Sequence, residues 1–324
     1  MPTVGIDARD ARAEPIRGWG RYSRELIREL PEVLSPDIRL REFAGEWPGP
    51  EAVWEQVALP LALLRARADL VHAPNCFLPL RRPCPGVVTI HDLAFERYPD
   101  DFSKRTGAKY RFFTPRAARS AQRIICVSRF TADDVVARYG VDERKIRVIP
   151  NAPALERGNA PAPDGGPYLL AVGDLRAKKN LARLVEAWRR AELPHRLVLA
   201  GLGAMDVPQG VELTGYVDDA RLDALMRGAD VLVHPSLYEG FGLVVLEAMA
   251  RGTAVAAARA TALPETAGDA AVLFDPLDVD DMAAAIARAV REREALAQRG
   301  LERAAQFSWN ATASATADVY RELL

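Results

Sequence analysis

The chain has 324 residues, 49% of them hydrophobic, and its 43 Lys and Arg against 44 Asp and Glu leave a net charge of −1. That length supports one large or two medium domains, and the charge balance excludes any general attraction to nucleic acid. Cys76, Cys84 and Cys126 show no C-x-x-C and no metal-ligand spacing, which suits a reducing cytoplasm; the N-terminus MPTVGIDARD lacks the regions of a signal peptide, and no apolar run approaches the roughly 18 residues of a spanning helix.

In chain order, TVGIDA reads as the first strand and RYSRELIREL as an amphipathic helix. DLVHAP and GVVTIHD follow as strands, each ending near a histidine. His72 reads as a satisfied core residue. His91, beside Asp92 at a strand end, is a stronger candidate for a site. From Phe102 to Ala132 there is no acidic residue, while Lys104, Arg105, Lys109, Arg111, Arg116, Arg119, Arg123 and Arg129 are interleaved with Tyr110, Phe112 and Phe113. A solvated helix face and a surface for anionic lipid or an anionic acceptor both fit that pattern. RIICVS and IRVIPN complete the strands of the first half, with Cys126 as core.

Residues 151–167, NAPALERGNAPAPDGGP, are rich in proline and glycine and read as a linker. Beyond it the alternation resumes. YLLAVG, HRLVLAG, DVLVHPS, TAVAAA and AAVLFDP are strand candidates, and NLARLVEAWRR and DDMAAAIARAVRERE are helices. Short runs apolar on both faces suit parallel strands covered on each side. The expected fold is α/β: two facing, Rossmann-like, doubly wound domains with a cleft between them, where ligands would meet the carboxyl ends of the strands.

The stretch LYEGFGLVVLEAMA, Leu237 to Ala250, carries the most chemistry. DVLVHPS runs as a strand to Ser236, and GLVVLEAMA is a helix entered through Gly240 and Gly242. The helix is apolar all round and therefore buried. Glu247 in its middle needs a donor, either a structural Arg or Lys or the hydroxyl pair of a ligand. The N–H groups of Phe241, Gly242 and Leu243 open the helix at a strand end, where phosphate is stabilised, and Glu239 stands just before them. A carboxylate, phosphate donors and a deeper carboxylate together match the parts of a nucleotide sugar.

EGFGLVVLEAMA resembles the E-x7-E element of the retaining glycosyltransferases of family four, which have the GT-B fold. The likeness extends over HPSLYEGFGLVVLEAMARGTAVAAARATALPETAGDAAVLFDP, VGDLRAKKNLARLVEAW, GWGRYSRELIREL, TIHDLAFERYPDDFSKR and VSRFTADDVVARYG, nearly the whole chain. Within that family it is most similar to the bacterial mannosyltransferases of surface-polysaccharide synthesis. The resemblance implies that Glu247 binds the donor ribose and Glu239 the donor sugar. The N–H groups of Phe241, Gly242 and Leu243 then hold the diphosphate, and Lys179 neutralises it. Many members carry Arg after the glycine that corresponds to Gly173. Asp174 stands there instead, so Arg176 or Lys178 is expected to substitute, or Lys179 to act alone. Gly18 and Gly20 match a glycine loop near the donor diphosphate. His91 matches a histidine facing the donor sugar, and Tyr216 and Val217 fall where the base is sheltered. Glu239, His91 and Lys179 are thus the implied catalytic residues.

The implied domains are 1–151 on the acceptor side, a linker at 152–167, a nucleotide-sugar domain at 168–308, and a terminal helix at 309–324 crossing back to the first. Asp278 to Asp280 forms a D-x-D, but its place before MAAAIARAV marks a helix cap, and no metal or cofactor is expected. The implied activity is retaining transfer of a hexose, with GDP-mannose favoured and a UDP- or dTDP-sugar as the alternative donor. The acceptor would be a glycan, a lipid-linked or a small molecule. The implied place is the cytoplasm, or the inner face of the membrane through residues 102–132. A non-catalytic sugar-nucleotide binder or scaffold is the rival of another class. A dehydrogenase would need the absent G-x-G-x-x-G after a first strand.

Overall fold

The computed structural model describes residues 1–13, 16, 18–44 and 49–324. They form two compact units, Met1–Asn151 with Ser308–Leu324, and Ala152–Phe307.

In the first unit β1 (Thr3–Asp7), β2 (Arg39–Phe43), β3 (Leu70–Ala73), β4 (Gly86–Ile90), β5 (Arg123–Cys126) and β6 (Ile146–Val148) make a sheet in the order β2-β1-β3-β4-β5-β6. All neighbours run parallel. Every residue of β3 and β4 is buried, so both faces of the sheet are covered. The chain starts at β1, steps to one side for β2, and returns to the other side for β3. The loops after β1 and β3 therefore diverge from adjacent strands, the place where open parallel sheets bind ligands.

The helix Trp309–Arg321 is capped by Ser308, whose Oγ accepts the Ala311 N–H at 3.1 Å. It packs on the helix Gly18–Val33 through the buried small residues Ala313 and Ala317. Tyr320 also ties it to the sheet. His72 shares a hydrogen bond with the Tyr320 hydroxyl at 2.7 Å and another with Thr89 Oγ1 at 2.8 Å, and Thr89 meets the Tyr22 hydroxyl at 3.2 Å. Burial pushes His72 down to about 3, so it is the neutral, satisfied core histidine that its place at a strand end suggested.

In the second unit β7 (Tyr168–Val172), β8 (Arg196–Ala200), β9 (Val211–Gly215), β10 (Val231–His234), β11 (Ala254–Ala258) and β12 (Val272–Phe274) take the order β12-β11-β10-β7-β8-β9. This is the Rossmann order, again all parallel between named strands. The chain leaves β7 toward β8 and β9, then returns to lay β10 on the other side of β7. The loops after β7 and β10 are thus neighbours at the carboxyl edge of the sheet.

Three features go beyond the sequence reading. Two strands were not foreseen, β2 and β9, both at sheet edges with mostly uncovered residues. The stretch after Asn151 is not a loose connection. Ala152, Ala154 and Leu155 are buried, and their neighbours hold the second unit. The Arg251 guanidinium donates to the Leu155 carbonyl at 2.8 Å, to the Glu156 carbonyl at 3.2 Å and to Asp223 at 2.8 Å, while Asp223 accepts the Gly158 N–H at 3.0 Å. Third, the cations of 102–132 are not without counter-charges. Lys109 pairs with Glu51 and Glu55, Arg123 with Glu322 and Arg129 with Glu143.

Candidate active site

The loops after β7 and β10 bring charged side chains of the second unit together. After β7 the chain turns through Gly173 into a short 3-10 turn at Ala177–Lys179. Asn180 follows in the left-handed region, with φ 56°, as the cap of the helix Leu181–Arg190. Its amide is buried and donates to the Pro235 carbonyl at 3.2 Å and the Pro276 carbonyl at 2.7 Å. One side chain thereby fastens the loops after β7, β10 and β12 to each other.

That fastening sets Lys179 against Glu239, Nζ to Oε1 at 2.6 Å. His234, the last residue of β10, meets the same oxygen through Nε2 at 3.2 Å. Burial alone would raise the Glu239 carboxyl. The Lys179 and then the Lys178 ammonium, with the His234 hydrogen bond, outweigh it and hold the group well below the usual carboxylate range. Burial lowers His234 in turn, so the neutral ring donates its Nε2–H to an ionised carboxylate.

Past Glu239 the chain reaches Gly242 at φ 95°, and an added Cβ would stand 2.6 Å from Leu263 Cδ2. The positive φ favours glycine there, and a larger residue would also have to displace the Leu263 side chain. The helix Leu243–Met249 follows, and the N–H groups of Phe241, Gly242 and Leu243 donate to nothing among the described residues. Glu247 is buried within this helix, 4% exposed, and its Oε1 accepts the Leu155 N–H at 3.2 Å. A backbone group is thus one of its donors. The Arg251 guanidinium donates to the Glu247 carbonyl at 2.9 Å.

These features fall within residues 154–311, which match the model of the glycosyl transferases group 1, and residues 16–157 match that of Glycosyltransferase Family 4. The O-antigen chain mannosyltransferase B of Escherichia coli is 31% identical, over 95% of this chain and 97% of that protein. The chain is a family-four glycosyltransferase. The MMP alpha-(1->4)-mannosyltransferase of Mycolicibacterium hassiacum is 29% identical over 91% of this chain and 81% of that protein. Among solved structures, sucrose-phosphate synthase from Thermosynechococcus elongatus superposes with a TM-score of 0.73 at 22% identity, covering 100% of this chain and 99% of the other. HepE of Anabaena, in complex with UDP and glucose, gives 0.72 at 18%, covering 99% and 100%. The glycosyltransferase therefore has the two-domain α/β GT-B fold.

The substitution of Asp174 for the arginine common in the family has a local use. Its carboxylate accepts the Leu202 N–H at 3.1 Å and lies 3.5 Å from the Arg176 guanidinium. It joins the loops after β7 and β8 and holds Arg176 beside them. Tyr216 follows β9 and is 56% exposed, with Val217 next to it. Asp278 caps its helix as expected, accepting the N–H groups of Asp280 at 2.9 Å and Asp281 at 3.1 Å, while Asp280 pairs with Arg190.

In the first unit, Gly18 and Gly20 lie in the opening turn of a helix rather than in a loop. No described residue lies within 4 Å of a Cβ built on Gly18, but a Cβ on Gly20 would lie 2.5 Å from the Asp10 carbonyl oxygen, so Gly20 serves close packing. His91 follows β4. Its Nε2–H donates to the Pro74 carbonyl at 2.8 Å, Trp19 stacks on it at 5.9 Å, and Tyr22 meets it edge-on at 4.7 Å. Burial lowers its basicity, so Nδ1 is left as a hydrogen-bond acceptor. The sequence reading took His234, inside an apolar strand, as structural, and did not single out Asn180 or the Asp223–Arg251 pair. Only His234 carried a local signal, its place five residues before Glu239.

Proposed function

We propose that this glycosyltransferase moves a hexose with retention of configuration, mannose from GDP-mannose by preference, onto a glycan, lipid-linked or small-molecule acceptor. The contact of Lys179 with Glu239 at 2.6 Å, where β7 and β10 part, carries the reading. An ammonium has three donors, so Lys179 can hold Glu239 and still reach the leaving diphosphate. With the N–H groups of Phe241, Gly242 and Leu243 it stabilises the charge that develops there, which is the work a metal would otherwise do. Arg176 adds positive charge nearby. Glu239, kept ionised, accepts hydroxyls of the donor sugar, and Glu247 accepts the ribose diol beside the Leu155 N–H. Tyr216 and Val217 shelter the base. Gly18, Gly20 and His91 keep the donor-side roles that family membership suggests, His91 through Nδ1.

The acceptor hydroxyl attacks on the face the diphosphate leaves, and a departing phosphate oxygen takes its proton. The mannosyltransferase relatives support mannose, and the UDP and glucose in the HepE structure keep a UDP-sugar as the alternative. GDP, UDP, dTDP and ADP should separate clearly in a thermal-shift series, the true donor's nucleotide giving the largest rise in Tm. Nuclear magnetic resonance of the product should show the donor's anomeric configuration; an inverted product rules the mechanism out.

No helix among the described residues is long and apolar enough to cross a membrane. Peripheral contact has its own support. On the helix Lys104–Ser120, Lys104, Arg105, Arg111, Arg116 and Arg119 are exposed on one side by helical spacing, with Phe112 49% exposed among them. Such a face fits an anionic bilayer. Vesicles with phosphatidylglycerol should sediment the protein at low salt and release it at high salt; failure to sediment it at low salt rules the contact out.

A further inference from the structure

The carboxyl edge of the first sheet holds a group of buried polar side chains that the donor chemistry does not use. Asp7 ends β1 and is 1% exposed. Its Oδ1 accepts the Arg9 N–H at 3.2 Å and the Trp54 Nε1–H at 3.3 Å. The Arg9 guanidinium donates to Glu55 at 3.0 Å, and Lys109 reaches the same Glu55 oxygen at 2.8 Å. Asn75, just after β3, donates to Asp10 at 2.7 Å. Four polar atoms of this network are buried and have no partner among the described residues: Asp7 Oδ2, Glu55 Oε2, Asn75 Oδ1 and Arg9 Nη1.

Buried polar groups in folded proteins are nearly always paired, so four orphans in one connected network mark a place built for something else to bond. Two independent features agree. Asp7, Arg9 and Asn75 stand at the end of β1 and on the loops after β1 and β3, where this sheet's strand order reverses and ligands are expected. Trp54 and Glu55 also belong to a π-helical turn, Trp54–Ala58, a rare distortion that recurs at functional sites. The turn aims both consecutive side chains at this network.

We propose that Asp7, Arg9, Glu55 and Asn75 form the recognition subsite for the acceptor, and that the group bound there is a neutral, hydroxyl-rich sugar. The inference rests on the glycosyltransferase reading and names its second substrate's chemistry. Asp7, Glu55 and Asn75 offer three acceptors, which suit hydroxyl donors, and Arg9 offers one donor for a hydroxyl or ring oxygen. A phosphorylated or carboxylated sugar would face the carboxylates of Asp7, Asp10 and Glu55. A metal cation would face Arg9 and Lys109, which already neutralise part of the cluster. A neutral polyol meets neither obstacle.

Saturation-transfer nuclear magnetic resonance on the full chain provides the test, with the methyl α-glycosides of mannose, glucose, galactose and rhamnose as neutral probes and mannose 6-phosphate as the anionic one. At least one neutral glycoside should bind, and more tightly than the phosphate. Glu55→Gln and Asn75→Ala should each weaken it about tenfold or more, as the loss of a hydrogen bond to a charged or buried group does. Cooperative unfolding and the nucleoside-diphosphate thermal shift identify variants that still fold. Folded variants that bind the glycoside as the wild type does overturn the subsite, and so does stronger binding of mannose 6-phosphate. A wild-type protein shifted by a nucleotide but touched by no glycoside overturns the subsite alone. A glycoside that binds where no nucleotide shifts the protein supports the subsite and overturns the donor reading instead.

Discussion

Replacing Lys179 by Met should lower kcat by about 10²–10³, an effect of about 3–4 kcal/mol on the transition state, as loss of a donor aimed at developing charge does elsewhere. Methionine keeps most of the stem that lies against Gly173 and removes only the charge. The ammonium has two tasks. In the proposed mechanism it faces the leaving diphosphate, and it is the largest influence opposing burial of the Glu239 carboxylate. Without it Glu239 keeps only Lys178 and His234, its carboxyl rises, and its hold on the donor sugar weakens. The nucleoside-diphosphate thermal shift should shrink in the same variant. Steady-state kinetics with kcat within threefold of wild type would remove Lys179 from the mechanism.

The Glu239–Glu247 part of this candidate site was legible because its residues lie close together in the chain. Glu239, Gly242 and Glu247 fall within one turn and one helix, and β7, β10 and β11 are apolar on both faces, so they stand out as short apolar runs. The missed strands had the opposite character. RLREF of β2 is largely exposed and buried only at Phe43, and VELTG of β9 has no fully buried residue. Edge strands of this kind carry charge that discourages further pairing, and charge hides them from a search for apolar runs.

The polar connections were hidden for another reason. They join residues far apart in sequence. Asp174 serves Leu202, Asn180 serves Pro235 and Pro276, and Arg251 serves Leu155. Lys109 looked unopposed in its own stretch, yet Glu51 and Glu55 come to it from a preceding helix. Periodicity reveals which face of an element is buried. It does not reveal which distant carbonyl or carboxylate a side chain will meet. Glu247 shows the boundary between the two. Its burial followed from the apolar helix around it, while its backbone partner at Leu155 required the chain after Asn151 to fold back onto that helix.

Asp7→Asn should make the protein more stable above pH 6 while weakening its use of acceptor. Burial raises the Asp7 carboxyl to about 6; the Arg9 charge and N–H and the Trp54 hydrogen bond oppose the rise, and Asp10 adds to it. Glu55 and Lys109, the other charged groups of the cluster, meet Arg9 and each other rather than Asp7. A folded value about two units above that of the unfolded chain means that the folded state binds more protons between pH 4 and 6. Stability from this group is therefore complete below about pH 4 and is lost as pH rises through 6, a loss of about 3 kcal/mol. Asparagine keeps an oxygen for Trp54 and the Arg9 N–H and carries no charge to bury. Urea midpoints at pH 8 should thus favour the variant, and the advantage should fade toward pH 4; a difference that does not change with pH would contradict the burial of an ionised Asp7. Gained stability with lost acceptor binding is the pairing expected of a residue kept for its ligand rather than for the fold. A purely structural Asp7 would move both quantities in the same direction.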